Sequence, residues 1–201
     1  MFTGIIQALG SIAAIEPHGG DRRLRIATGK LDLRTTRIGD SIAVNGVCLT
    51  AVELTGDGFW ADVSAETLSC TTLIDVPVGA AVNLEQALTP STALGGHLVS
   101  GHVDGVGTVV ERHDDARSVR LRITAPNALA RYIAAKGSVC VDGVSLTVNA
   151  VQGADFELNI VPHTLLETTL GEFAPGRRVN LEVDIIARYL ERLLECRMGG
   201  V

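Results

Sequence analysis

Two reactive side chains hold the same place in two copies of one short motif. Cys48 stands in Asn45-Gly46-Val47-Cys48-Leu49-Thr50, and Ser145 stands in Asp142-Gly143-Val144-Ser145-Leu146-Thr147, 97 residues further on. A thiolate is a nucleophile, and a hydroxyl becomes one beside a base. Taken alone, Cys48 reads as a small buried hydrophobe. A serine at the same frame position weakens that reading, because a hydroxyl is less at home in an apolar core. Thr50 and Thr147, two residues on, fall on the same face of a strand. For the threonines alone, ordinary strand composition is a sufficient reading.

Two histidines open the second half, in Gly95-Gly96-His97-Leu98-Val99-Ser100-Gly101-His102. Their spacing of five puts them on opposite faces of an extended chain, which disfavours a metal site built from the pair. His102 falls on Ile5 under the same offset. One half therefore carries a group that moves protons near neutral pH where the other is apolar. The bland alternative for His102 is a hydrogen-bonded structural histidine. Asp184 reads either as a helix cap or as a carboxylate at a barrel rim. No glycine-rich stretch gives the phosphate-loop or dinucleotide pattern.

These residues must be positioned by a doubled scaffold. At a constant offset of 97, Thr3-Gly4 falls on Ser100-Gly101, and Arg23 to Ile26 on Arg120 to Ile123. Thr67-Leu68 falls on Thr164-Leu165, and Val82-Asn83-Leu84-Glu85 on Val179-Asn180-Leu181-Glu182. No gap is needed, so the chain is a tandem duplication of a whole domain. Within each half the pattern is strand-like. Gly4 to Ile15, Arg22 to Thr28, Asp40 to Asn45, Cys48 to Leu54, Phe59 to Ser64 and Ala81 to Ala87 predict six strands. Asn45-Gly46 and Asp142-Gly143 are tight-turn dipeptides. The fold class is therefore all-β: tandem six-stranded antiparallel barrels. Pro126 and Ala128 to Lys136 predict one short helix in the second half.

The tail breaks the symmetry. Ile185 to Met198 predicts a helix whose Ile185, Ile186, Tyr189, Leu190, Leu193 and Leu194 form one apolar face. Standing outside both repeats, it reads as a self-association helix, with packing on its own chain as the alternative.

Composition narrows the function. The 201 residues carry a formal net charge of −6, which lacks the basic footprint of a nucleic-acid-binding protein. No apolar run reaches the length of a membrane span. Four cysteines without CxxC spacing point to reduced thiols and a cytoplasmic setting.

With Met1-Phe2-Thr3-Gly4-Ile5, both motif copies, Gly95 to His102 and Val179 to Asp184 in view, the chain closely resembles the riboflavin synthase family of lumazine-binding barrels over essentially its whole length. The resemblance implies Greek-key barrels at 1–87 and 97–184, a linker at 88–96, and a C-terminal helix and tail at 185–201 that holds a homotrimer. It implies that two molecules of 6,7-dimethyl-8-ribityllumazine exchange a four-carbon unit, giving riboflavin and 5-amino-6-ribitylaminouracil, as the last step of riboflavin biosynthesis. No cofactor and no metal are needed, since donor and acceptor are the same compound.

The implied active site lies between the N-terminal barrel of one subunit and the C-terminal barrel of a neighbour. Carried over, the first pocket comprises Gly4, Ile5, Ile6, Cys48, Leu49, Thr50, Asp62, Val63, Ser64, Ala65, Glu66 and Thr67. The second comprises Gly101, His102, Val103, Ser145, Leu146, Thr147, Asn159, Ile160, Val161, Pro162, His163 and Thr164, with Lys136 reaching across from a partner chain. In this reading His102, with Ser41, handles protons, and Cys48, Ser145 and Asp184 support addition and elimination. Lumazine synthase is a candidate partner.

The rivals are a non-catalytic lumazine- or flavin-binding protein of the same fold and a purely structural trimer. Cys48→Ala and His102→Gln are expected to slow turnover while largely keeping substrate binding. Normal turnover of both in a steady-state assay overturns these assignments.

Overall fold

The computed structural model describes residues 1–198; residues 199–201 of the expected tail lie outside the described residues. Strands alternate buried and exposed side chains, as a barrel wall requires. The first half contains β1 (Ala8–His18), β2 (Asp21–Ala27), β3 (Ser41–Val44), β4 (Val47–Thr50), β5 (Glu53–Thr55), β6 (Gly58–Val63) and β7 (Ala81–Gln86). The second contains β8 (Gly105–Asp115), β9 (Ser118–Thr124), β10 (Ser138–Val141), β11 (Val144–Gln152), β12 (Asp155–Ile160) and β13 (Arg178–Val183). Every strand of the second half sits 97 residues after its counterpart, β11 standing for β4 and β5 together.

The second half closes as a six-stranded barrel in the order β10-β11-β12-β9-β8-β13. The first is ordered β4-β3-β7-β1-β2-β6-β5, so its two edges are pieces of one segment interrupted at Ala51–Val52. The expected single strand Cys48 to Leu54 is therefore broken. The second barrel takes the same corner as a bulge between Val148 and Ala150. Both corners are pinned alike. Gly39 N donates to Ala51 O at 2.8 Å, and Lys136 N donates to Val148 O at 2.8 Å.

Each barrel has its own core. Phe59, Leu24, Ile26, Ile42 and Leu84 fill the first. Phe156, Leu121, Ile123, Leu158 and Leu181 fill the second.

Three other expectations change. The first strand begins at Ala8, and Gly4 to Gln7 form an extended arm instead. The helix expected over Ala128 to Lys136 is a single 3-10 turn, Ala130–Tyr132. Its i→i−3 bonds, such as Tyr132 N to Leu129 O at 3.0 Å, arise in a segment whose ends are both tied to strands. Two short helices not expected from the sequence bridge β6 to β7 and β12 to β13: α1 (Ala65–Cys70) and α2 (Pro162–Glu167). The signals were there, in the Ser64 cap accepting from Thr67 N and in Pro162 at the first helical turn. The C-terminal helix α3 (Ile185–Met198) appears as expected.

The two barrels meet along a pseudo-two-fold axis. Asn45 and Asp142 adopt positive φ of 46° and 44°, followed by Gly46 at 77° and Gly143 at 84°, so both are tight primed turns. Their tips touch. A Cβ on Gly46 would lie 2.7 Å from Gly143 N, and one on Gly143 would lie 2.8 Å from Gly46 N. Asn83 Nδ2 donates to Asp142 O at 2.8 Å, and Asn180 Nδ2 donates to Asn45 O at 2.9 Å. Phe2 pairs with Val99, its own counterpart in the repeat, in a two-residue bridge beside Ala43 and Cys140.

Asp142 takes the place of Asn45. Each side-chain Oδ1 accepts from the backbone N of its local asparagine, at 2.7 Å from Asn180 and 2.8 Å from Asn83. Burial pushes the Asp142 carboxyl up from 3.8 to about 7, against the pull of the Asn180 N–H and Arg177. The folded state therefore binds the proton more tightly than the unfolded one. The Asp142 contribution is complete below the unfolded pKa of 3.8 and is lost as pH rises through about 7. The limiting slope is about 1.4 kcal/mol per pH unit. Asp142→Asn is expected to remove this slope and to raise Tm at pH 8 relative to the unchanged chain. Thermal unfolding at pH 5 and pH 8 checks it; an unaltered pH dependence contradicts the assignment.

Candidate active site

The arms that precede each barrel cross to the opposite one. Cys48 N donates to Gly101 O at 2.9 Å, and Ser145 N donates to Gly4 O at 2.8 Å. A Cβ on Gly101 would stand 2.7 Å from Cys48 Cβ, and one on Gly4 would stand 2.6 Å from Ser145 Cβ. Beyond the glycines, Val103 packs against the first core and Ile6 against the second. This corrects the expected grouping. Within one chain, Gly4, Ile5 and Ile6 belong with Ser145, and Gly101, His102 and Val103 belong with Cys48.

Two buried carboxylates hold the arms. Glu85 accepts from Thr3 N at 2.7 Å, Thr3 Oγ1 at 2.6 Å and Gly4 N at 2.9 Å. Glu182 accepts from Ser100 N at 2.6 Å, Ser100 Oγ at 2.7 Å and Gly101 N at 2.9 Å. Burial raises both pKa values while those donors pull the other way. Sequence reading did not single out either glutamate. Their signal was the repeated Val-Asn-Leu-Glu, where a glutamate persists inside an otherwise apolar strand.

The Cys48 cleft has a volume of about 290 Å³ and is lined by Val47, Cys48, Glu66, Thr67, Cys70, Thr71, Gly101, His102 and Val103. It is small and open for a site meant to enclose a drug-sized ligand. His102 also lines a second cleft of about 430 Å³ with Asp104, Glu182, Tyr189, Arg188 and Arg192, between the arm and α3.

Cys48 and Ser145 are half-buried, and Thr50 and Thr147 are exposed on the same face. Leu49, Val63 and Ile160 point into the cores, so only their backbone is available to a ligand. Leu146 is half-buried. Asp62, Ser64, Ala65 and Glu66 are exposed near the first motif, as are Asn159, Val161, Pro162 and His163 near the second; Thr67 and Thr164 are half-buried.

Ser41 is not brought to His102. It lies opposite Thr50 on β3 and lines a separate cleft with Thr35, Thr36, Asp40 and Gln86. Asp184 caps α3, its Oδ1 accepting from Ile186 N at 3.0 Å. Lys136 is exposed and held at φ 67°, where the first half has Gly39 at 96°. A lysine kept in a conformation that favours glycine points to a use for its side chain.

A pair of crossed barrels, with Cys48 and Ser145 at equivalent places after the two touching turns and a cleft beside Cys48, defines a ligand-binding repeat. The lumazine binding domain family matches at residues 3–87 and again at 100–184. The chain belongs to that family. It is 54% identical to riboflavin synthase of Photobacterium phosphoreum over 96% of this chain and 89% of that one. It is 47% identical to riboflavin synthase of Mycobacterium tuberculosis over 96% and 98%, and 39% identical to that of Bacillus subtilis over 96% and 90%. Among solved structures it is similar to LumP complexed with riboflavin, with a TM-score of 0.84 and 28% identity over 91% of this chain and 99% of that one. LumP complexed with 6,7-dimethyl-8-(1'-D-ribityl) lumazine gives 0.82 and 27% over the same shares.

Glu182→Gln places an amide N–H against donors that now meet a carboxylate. It is expected to cost about 1–3 kcal/mol. Amide hydrogen exchange should quicken at Ser100 to Val103 and stay unchanged at Thr3 to Ile5, and unchanged protection of Ser100 to Val103 refutes the clamp.

Proposed function

We propose that this chain is a riboflavin synthase, which joins two molecules of 6,7-dimethyl-8-ribityllumazine by four-carbon transfer to give riboflavin and 5-amino-6-ribitylaminouracil. One observation carries the reading. The doubled scaffold holds two equivalent sites in a chain 39–54% identical, nearly end to end, to riboflavin synthases. A reaction that consumes two copies of one molecule calls for two similar pockets held in register, and alignment supplies much of the rate. In this reading His102 handles protons at the Cys48 pocket. The backbone of the two hairpins and of Asp62 to Thr67 and Asn159 to Thr164 holds the pteridine edges. Ser41 lies apart from His102, so its part would require a neighbouring subunit.

A complete site is proposed between subunits of a homotrimer. The support is α3, whose Ile186, Tyr189, Leu190, Leu193 and Leu194 are 48–69% exposed. An apolar stripe of that length on a single chain calls for a partner. The open Cys48 cleft and the outward Lys136 fit the same arrangement. Cys48, Cys70 and Cys140 are free thiols, which fits a cytoplasmic enzyme. Among the described residues no helix is long and apolar enough to cross a membrane. Association with lumazine synthase rests on the family resemblance alone.

The likeness to LumP supports a second reading, a lumazine or flavin carrier without turnover. Incubation of the purified chain with 6,7-dimethyl-8-ribityllumazine alone separates the two. Riboflavin formed at one per two substrates is the expected result. Binding without riboflavin would establish the carrier instead.

A further inference from the structure

The pseudo-two-fold axis repeats the scaffold around Cys48 and Ser145 but not their neighbours. Ser145 Oγ lies 2.7 Å from His97 Nδ1. Beside Cys48 the cleft is lined instead by Glu66, Thr67, Cys70 and His102. His97 is only 9% exposed, and its Nε2 is buried without a hydrogen-bond partner. Its backbone N donates to Thr3 O at 3.2 Å, which ties the linker to the N-terminal arm. Gly96 makes the room: a Cβ there would stand 2.2 Å from Thr3 O and 2.8 Å from Ser145 Oγ. The ring is thus wedged against one hydroxyl.

Burial lowers the His97 pKa, against the opposing pull of the Asp184 carboxylate, so the imidazole is neutral at neutral pH. A neutral ring offers one donor and one acceptor nitrogen. The 2.7 Å separation lies at the short end for an N–H donor and is ordinary for an O–H donor.

We propose that His97 is a positioning residue of the second pocket: its Nδ1 accepts a hydrogen bond from the Ser145 hydroxyl, which fixes the rotor and turns the oxygen lone pairs toward a bound pteridine. The inference rests on the riboflavin synthase reading and deepens it. The two pockets become chemically unequal. The first pairs a free thiol with the exposed His102, and the second presents an oriented hydroxyl whose proton is held from behind.

The test compares His97→Asn with His97→Gln. An asparagine amide oxygen reaches the place of Nδ1, whereas a glutamine one reaches that of Nε2. His97→Gln is expected to lower kcat on the order of ten- to a hundredfold with little change in KM. His97→Asn restores most of the loss, and adding His97→Gln to Ser145→Ala costs nothing further. Equal behaviour of the Asn and Gln variants overturns the proposal, and so do additive losses. Nitrogen-15 NMR of labelled histidine in the unchanged chain gives a readout independent of folding in the variants. Nδ1 without a proton and Nε2 with one is the expected tautomer; the reverse refutes the assignment. An unchanged chain that forms no riboflavin would sink the functional reading, while the tautomer would still decide the His97–Ser145 bond.

Discussion

The molecule depends on two hairpin tips touching. Gly46 and Gly143 approach so closely that any side chain at either would strike the other's backbone. Asn83 and Asn180 seal the contact by reaching across to the facing turns. Their remaining capacity is used locally, since Asn83 Oδ1 accepts from Thr169 N and Asn180 Oδ1 accepts from Thr72 N, each at 2.8 Å. Buried amides with both ends satisfied specify one docking of the barrels rather than many. The docking fixes where Cys48 and Ser145 sit relative to each other.

That contact explains the crossed arms. With the barrels face to face along the axis, the residues before each first strand run over the partner barrel. Glu85 and Glu182 then grip them from their own barrels through three donors each. Each pocket wall is therefore made by both halves. A duplication that merely strung two domains on a linker would not need this. Here a change in one half is felt in the pocket of the other.

Symmetry in the scaffold coexists with asymmetry in the chemistry. The differences concentrate at Cys48 against Ser145 and Ile5 against His102, and His97 stands on Ser145. One substrate in two roles needs this kind of division. The fold supplies equal frames, and a few side chains make the frames unequal. The helix α3 adds a further asymmetry, because its exposed apolar stripe belongs to neither repeat.

The duplication, the barrel class and the terminal helix were legible in the sequence because they rest on local periodicity and on a gapless offset. Primed turns at Asn45-Gly46 and Asp142-Gly143 were legible for the same reason, as glycine and asparagine report positive φ directly. The helix expected over Ala128 to Lys136 failed because propensity is weak when both ends of a segment are tied to strands. Sequence could also rank Cys48, Ser145 and His102 as chemical residues. It could not assign arms to barrels, place Ser41 away from His102, or bring His97 onto Ser145. Those facts are contacts between residues far apart in the chain, set by how the two barrels pack. Packing across a pseudo-two-fold leaves no periodic trace in either strand set, so tertiary structure alone decided it.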